Sequence, residues 1–171
     1  MRPRHRVRLA VNLLNGSTLA GLAVARAGRA RLAPAPDGLL AGTGYRLPVP
    51  PAPAFTLGNV IVTRRDELDS SSAVFRHEAR HATQYAWCGG LLMLPLYFAA
   101  AGVSWLLSGD EGAWNVFERD AGLADGGYET ARPLRPRLRF GYLTSGSAAT
   151  AGPPAGAPAD PGSGPRSAAP A

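Results

Sequence analysis

The sequence predicts an α+β domain. A short antiparallel sheet precedes three helices, one carrying two histidines, one apolar and one carrying an inward-facing glutamate, and a disordered tail closes the chain. Three observations predict this. The run Phe55 to Thr63 is rich in β-branched residues, which suit a pleated surface. Helical spacing of apolar residues resumes after Asp69-Ser70-Ser71-Ser72 and ends at Gly89-Gly90. From Thr144 onward the chain is nearly all Gly, Pro, Ala, Ser and Thr, with too little apolar surface to offset the entropy of ordering. Residues 1–30 therefore read as a basic N-terminal arm and helix, 31–143 as the domain, and 144–171 as the tail.

Composition narrows the choices. The chain has 171 residues with 21 Gly and 16 Pro, enough for one core. One cysteine, Cys88, excludes an intramolecular disulfide scaffold. All 18 basic residues are arginine, and the net charge is +6. The charge is segregated: residues 1–55 carry eight Arg and one acid, 56–130 five Arg and ten acids, and 131–171 five Arg and one acid. A nucleic-acid binder concentrates positive charge on its folded face. Here the middle of the chain is acidic, so nucleic acid is not the expected partner. The single cysteine fits a cytoplasmic location, with membrane contact left open by an apolar segment described below.

Arg2, Arg4, Arg6 and Arg8 precede an apolar stretch that ends in Ala25-Arg26-Ala27, which is the outline of a signal peptide. Asn12, Asn15, Gly16 and Ser17 interrupt the stretch, and Arg26 occupies the cleavage position. An amphipathic helix opened at Ser17 and stopped by Gly28 is the better reading. Leu39 to Leu47 and Phe55 to Thr63 are strands paired across a connection holding Pro48, Pro50, Pro51 and Pro53. A helix over about residues 73–87 follows, capped from Asp69 to Ser72. Next comes the uncharged run Leu91 to Leu107, interrupted by Pro95 and Gly102. A third helix covers about 111–124, and Arg132 to Phe140 offers an edge strand.

The first of these helices carries His77-Glu78-Ala79-Arg80-His81. The i, i+4 spacing sets two imidazoles on one face, one turn apart, where both reach one Zn²⁺. Glu78 is then placed to take a proton from water. The plainer alternative is a helix with an exposed polar face. A catalytic zinc needs a third protein ligand, and no histidine follows His81. Carboxylates and Cys88 remain. Cys88 reads as a small buried hydrophobe, and Asp110 and Glu111 as helix N-terminal acids. Glu118 sits mid-helix between Trp114 and Ala121 on the inward stripe, where burial of an acid requires a metal or an arginine.

His77 to His81 followed by a helix bearing Glu118 resembles the gluzincin pattern of zinc metallopeptidases, and the short domain is similar to the minigluzincins. Gln84 extends the motif to H-E-x-x-H-x-x-Q, similar to small bacterial metallopeptidases of largely unassigned function. The resemblance spans about residues 55–130. It implies His77, His81 and Glu118 as zinc ligands, Glu78 as general base and a peptide or protein as substrate. The aspartate expected four residues after the glutamate is Gly122 here, so Asp125 is the substitute expected to support a histidine. Gln84 either orients a ligand or faces solvent. Tyr128 and Tyr142 are both candidates for a transition-state donor.

The run Leu91 to Leu107, with Trp87 and Trp105 near its ends, also looks like a marginal membrane span. A straight helix of that length advances about 25 Å. Were it to cross a bilayer, Glu118 would be parted from the histidines. A zinc site therefore requires this segment to return to the same side, which leaves room for peripheral membrane contact. The competing function is a non-catalytic membrane-associated protein that uses Leu91 to Leu107.

Overall fold

The strand Val60–Thr63 is buried along its whole length, so both faces of the sheet around it are covered. The reason lies in the alternation of its side chains. Val60 and Val62 face a cluster with Ala25 and Tyr45, whereas Ile61 faces Leu39, Phe75 and Ala82. The computed structural model describes residues 1–128 and 132–135. Within them lie α1 (Pro3–Leu14), α2 (Ser17–Ala27), β1 (Arg31–Ala35), β2 (Leu39–Thr43), β3 (Ala54–Leu57), β4 (Val60–Thr63), α3 (Ala73–Trp87), α4 (Met93–Ser108) and α5 (Val116–Ala121). Helix α2 packs on one face of the sheet and α3 on the other, giving a mixed α+β fold. Residues 1–30 fall in the same compact unit as the sheet, Met1–Phe140. Arg8 in α1 is buried and donates to the Asp37 carbonyl at 2.6 Å.

The sheet differs from the expected antiparallel one. Its order is β1-β2-β4-β3, with β1–β2 and β3–β4 antiparallel but β2–β4 parallel. The expected single strand Phe55 to Thr63 is a hairpin, turned at Gly58-Asn59. Gly58 has φ +59°, and a Cβ there would lie 2.4 Å from the Thr18 backbone nitrogen. Only glycine lets the start of α2 sit on that turn. The proline-rich link from Gly44 to Pro53 then carries the chain past β4, so β4 can enter between β2 and β3 alongside β2. Residues 132–135 form no strand, and the rest of the expected edge strand lies outside the described residues, as does the expected tail.

The helices follow their sequence signals unevenly. Helix α3 has the expected bounds, and Ser72 Oγ accepts from Phe75 N–H at 3.1 Å as its cap. Pro95 falls in the first turn of α4, where its missing N–H has no intrahelical partner to lose. The helix runs unbroken through Gly102. Helix α5 is much shorter than the expected 111–124. Asp110 Oδ1 accepts from the N–H groups of Gly112 and Ala113, both at 2.9 Å, and holds a turn there. Asn115 then caps α5 through Phe117 N–H. Among the described residues, no single helix is long and apolar enough to cross a membrane.

A buried amide network sets α3 against the rest of the fold. Asn12 Nδ2 donates to the Ala82 carbonyl at 2.8 Å and to Asn59 Oδ1 at 3.2 Å. Asn59 Nδ2 donates onward to Thr18 Oγ1 at 2.9 Å. One side chain thus ties α1 to the hairpin turn and to the middle of α3. Replacing it removes the donor of the buried Asn59 amide oxygen and cuts the tie to α3. Asn12→Ala is expected to cost about 2–3 kcal/mol of stability, read as a lower midpoint in urea unfolding. An unchanged midpoint would contradict the network's role.

Candidate metal centre

Helix α3 delivers two imidazoles to one point. His77 Nε2 and His81 Nε2 lie 3.0 Å apart, and both residues are buried. From α5, Glu118 places Oε2 at 3.0 Å from His77 Nε2 and Oε1 at 3.7 Å from His81 Nε2. Glu118 is 2% exposed. The chain between α3 and α5 therefore returns to the same side, and the apolar helix does not part the glutamate from the histidines.

The tautomers follow from the groups behind the rings. His77 Nδ1 faces the Gly122 carbonyl at 3.1 Å, which can only accept. His81 Nδ1 faces Gln84 Oε1 at 2.8 Å. The Gln84 amide is itself oriented, because its nitrogen donates to the Phe117 carbonyl at 2.9 Å and to Asp120 Oδ2 at 2.8 Å. Both Nδ1 atoms are therefore donors, and in the neutral rings both Nε2 atoms present bare lone pairs to each other and to a carboxylate. Glu118 Oε2 is buried and accepts no hydrogen bond. Such an arrangement needs a cation at its centre, either a shared proton or a metal ion. Two nitrogens on one tetrahedral ion at about 2.0–2.1 Å would stand about 3.3 Å apart, near the separation seen. His77, His81 and Glu118 could thus hold a metal ion.

Ionisation agrees with that requirement. Burial pushes the Glu118 carboxyl up, but the nearby imidazoles of His77 and His81, when protonated, and the Tyr97 hydroxyl outweigh it and hold it down, at about 2. Burial lowers both imidazoles, and Glu118 reverses this, leaving each raised from its ordinary value. The trio keeps its carboxylate charged and holds a positive charge against it. Protons and metal compete for the same lone pairs, so binding strengthens as pH rises past the histidines.

Several supporting groups carry little or no signal in the sequence. The Tyr97 hydroxyl on α4 donates to Glu118 Oε1, although Tyr97 lies in the apolar run. Its position on the buried stripe Met93, Ala101, Ser104 and Ser108 is the clue that spacing offered. Gly126 approaches His77 so closely that a Cβ there would lie 2.4 Å from the ring. Arg80 and Asp120 form a paired clamp, both bonds 2.7 Å, between α3 and α5.

The remaining candidates fall in different places. Glu78 is buried, and its Oε2 accepts from Thr56 Oγ1 on β3 at 2.7 Å. Burial raises its carboxyl, and the neighbouring histidines only partly offset this. Gln84 is the orienting residue of His81. Asp125 does not support a histidine; it pairs with Arg76 at 3.4 Å. The reason is that α5 ends at Ala121 and Gly122 takes φ +96°, which turns Asp125 off the expected face. The Gly122 carbonyl supports His77 in its place. Tyr128 lies beside Tyr97, with its hydroxyl raised to about 12 chiefly by burial. Cys88 caps the end of α3, outside the cluster. Tyr142 lies outside the described residues.

The amide of Gln84 gives a direct check on the tautomer assignment. Gln84→Leu leaves His81 Nδ1 without its acceptor and is expected to weaken metal binding about 10–100-fold. Competition against a chromophoric chelator measures this. Unchanged affinity would contradict the role given to Gln84.

Compared with protein-family models, curated proteins and solved structures, the chain matches none.

Proposed function

We propose that the chain is a zinc-dependent peptidase of the gluzincin kind, with His77, His81 and Glu118 as the metal ligands and Glu78 as the general base. The observation that carries this reading is the convergence of two bare imidazole nitrogens on a buried carboxylate oxygen that accepts no hydrogen bond. Two nitrogens and one carboxylate oxygen match the three-ligand set of catalytic zinc, which leaves a position open to water or substrate. A zinc ion held there supplies a Lewis acid that polarises a carbonyl and lowers the pKa of water.

The chain's own residues supply the rest. Glu78 follows His77 on the same helix and is raised toward neutrality by burial, which suits a group that accepts and returns a proton. Thr56 Oγ1 holds Glu78 Oε2 and so fixes which carboxylate oxygen is free to act. Tyr97 holds Glu118 Oε1, leaving Oε2 for the metal. Gln84 and the Gly122 carbonyl keep both Nε2 atoms unprotonated in the neutral rings. Strand β3, which carries Thr56, is one of the two edge strands of the sheet. An extended peptide can lie along that edge by main-chain pairing and so bring its carbonyl near Glu78.

Glu78→Gln tests the proposal, because it keeps the shape and hydrogen bonding of the side chain while removing its basicity. Zinc-loaded wild type is expected to cleave members of a quenched-fluorescent peptide library. The variant should retain zinc and lose about 10²–10⁴-fold in kcat/KM. Equal turnover in the variant, or no cleavage by zinc-loaded wild type across the library, would overturn the reading.

A further inference from the structure

Helix α4 buries Met93, Ala101, Ser104 and Ser108 but turns most of its large apolar residues outward. The side it turns to the protein includes Ser104 and Ser108, both buried and hydrogen-bonded to the Asp110 carbonyl. The side it turns outward carries Leu96, Phe98, Val103, Trp105 and Leu106, all exposed, with Phe98 66% accessible. A helix of a water-soluble core does the opposite. At about 100° per residue, these outward positions spread over roughly half the helix circumference. No Asp, Glu, Lys or Arg occurs between His81 and Asp110.

Each end of this surface carries an exposed tryptophan stacked with an arginine. Arg80 lies 5.6 Å from the Trp87 ring centre just before α4, and Arg135 lies 4.8 Å from that of Trp105 near its end. Amphipathic rings at the margins of an apolar surface suit the boundary between acyl chains and headgroups, and Arg135 beside Trp105 suits anionic ones, Arg80 being already paired with Asp120. The half-circumference of apolar exposure is also broader than the stripe that one packed protein helix needs. At 16 residues α4 is too short to cross a bilayer, but it can lie in the interface plane.

We infer that α4, with Trp87 and Trp105 at its margins, docks the protein on the surface of an anionic lipid bilayer. Tyr97 projects from the inner side of the same helix onto Glu118, so docking holds the metal centre beside the membrane. If the proposed peptidase activity holds, its substrates are peptide segments close to the bilayer surface. Docking itself does not depend on hydrolysis, so the two can fail separately.

The test uses tag-free full-length protein and flotation with vesicles of phosphatidylcholine, with and without phosphatidylglycerol. Wild type is expected to float, more strongly with phosphatidylglycerol, and its tryptophan emission to shift to the blue. Val103→Glu combined with Leu106→Glu, both on the outward side and away from the metal ligands, should lower vesicle partition by about tenfold or more. The variant's circular dichroism and zinc content should match wild type. Wild type that fails to float, or a variant that floats equally well, would overturn the inference. So would a wild-type dimer, seen by light scattering, that does not float and becomes monomeric in the variant, because α4 would then be a contact between copies.

Discussion

A carboxylate that is almost wholly buried must meet positive charge, and the rest of this structure answers to that requirement at Glu118. An ionised carboxylate away from water is costly unless it is paired. Its immediate neighbours on α3 are two imidazole nitrogens that carry no proton when the rings are neutral. One cation at their shared focus satisfies all three groups, and without it the same groups oppose one another. The surrounding structure holds that focus in place. Asn115 caps the short helix that bears Glu118, Arg80 and Asp120 clamp this helix to α3, and Asn12 fixes α3 to the hairpin turn and α1.

The same constraint explains the position of the apolar helix. Tyr97 has to reach Glu118, so α4 must lie close to α5 along one stripe. The polar contacts of Ser104 and Ser108 secure its far end to the turn at Asp110. Its inner side thereby holds Tyr97 and two serines beside Met93 and Ala101, and most of the large apolar residues are left to face outward. A helix that looked like a rival to the metal site is in this way one of its supports.

Much of the centre was legible in the sequence because its parts are local. Helical spacing alone joins His77 to His81, and the serine caps and paired glycines mark the ends of α3. Glu118 could be picked out because an acid on an inward stripe requires an explanation. Other features carry no comparable mark. The acceptor for His77 is the Gly122 carbonyl, and a backbone acceptor leaves no residue type to search for. Asp125 suits that role only on a helix that continues beyond Ala121, and α5 ends there. The turn at Asp110 and the positive φ of Gly122 shorten that helix from both sides. In the sheet, the β-branched run hid the turn at Gly58-Asn59, since strand propensity is continuous across it. The parallel pairing of β2 with β4 depends on a long connection, and local pattern does not reveal such pairings.

The proposed function rests on zinc held by His77, His81 and Glu118. Metal content by mass spectrometry on protein purified without a histidine tag, wild type beside Glu118→Ala, tests it most directly. About one zinc per wild-type chain is expected, with X-ray absorption showing two nitrogen neighbours at about 2.0–2.1 Å, and loss or marked weakening in the variant. Wild type that takes up no zinc even after reconstitution, or Glu118→Ala that binds it as tightly as wild type, would contradict the account.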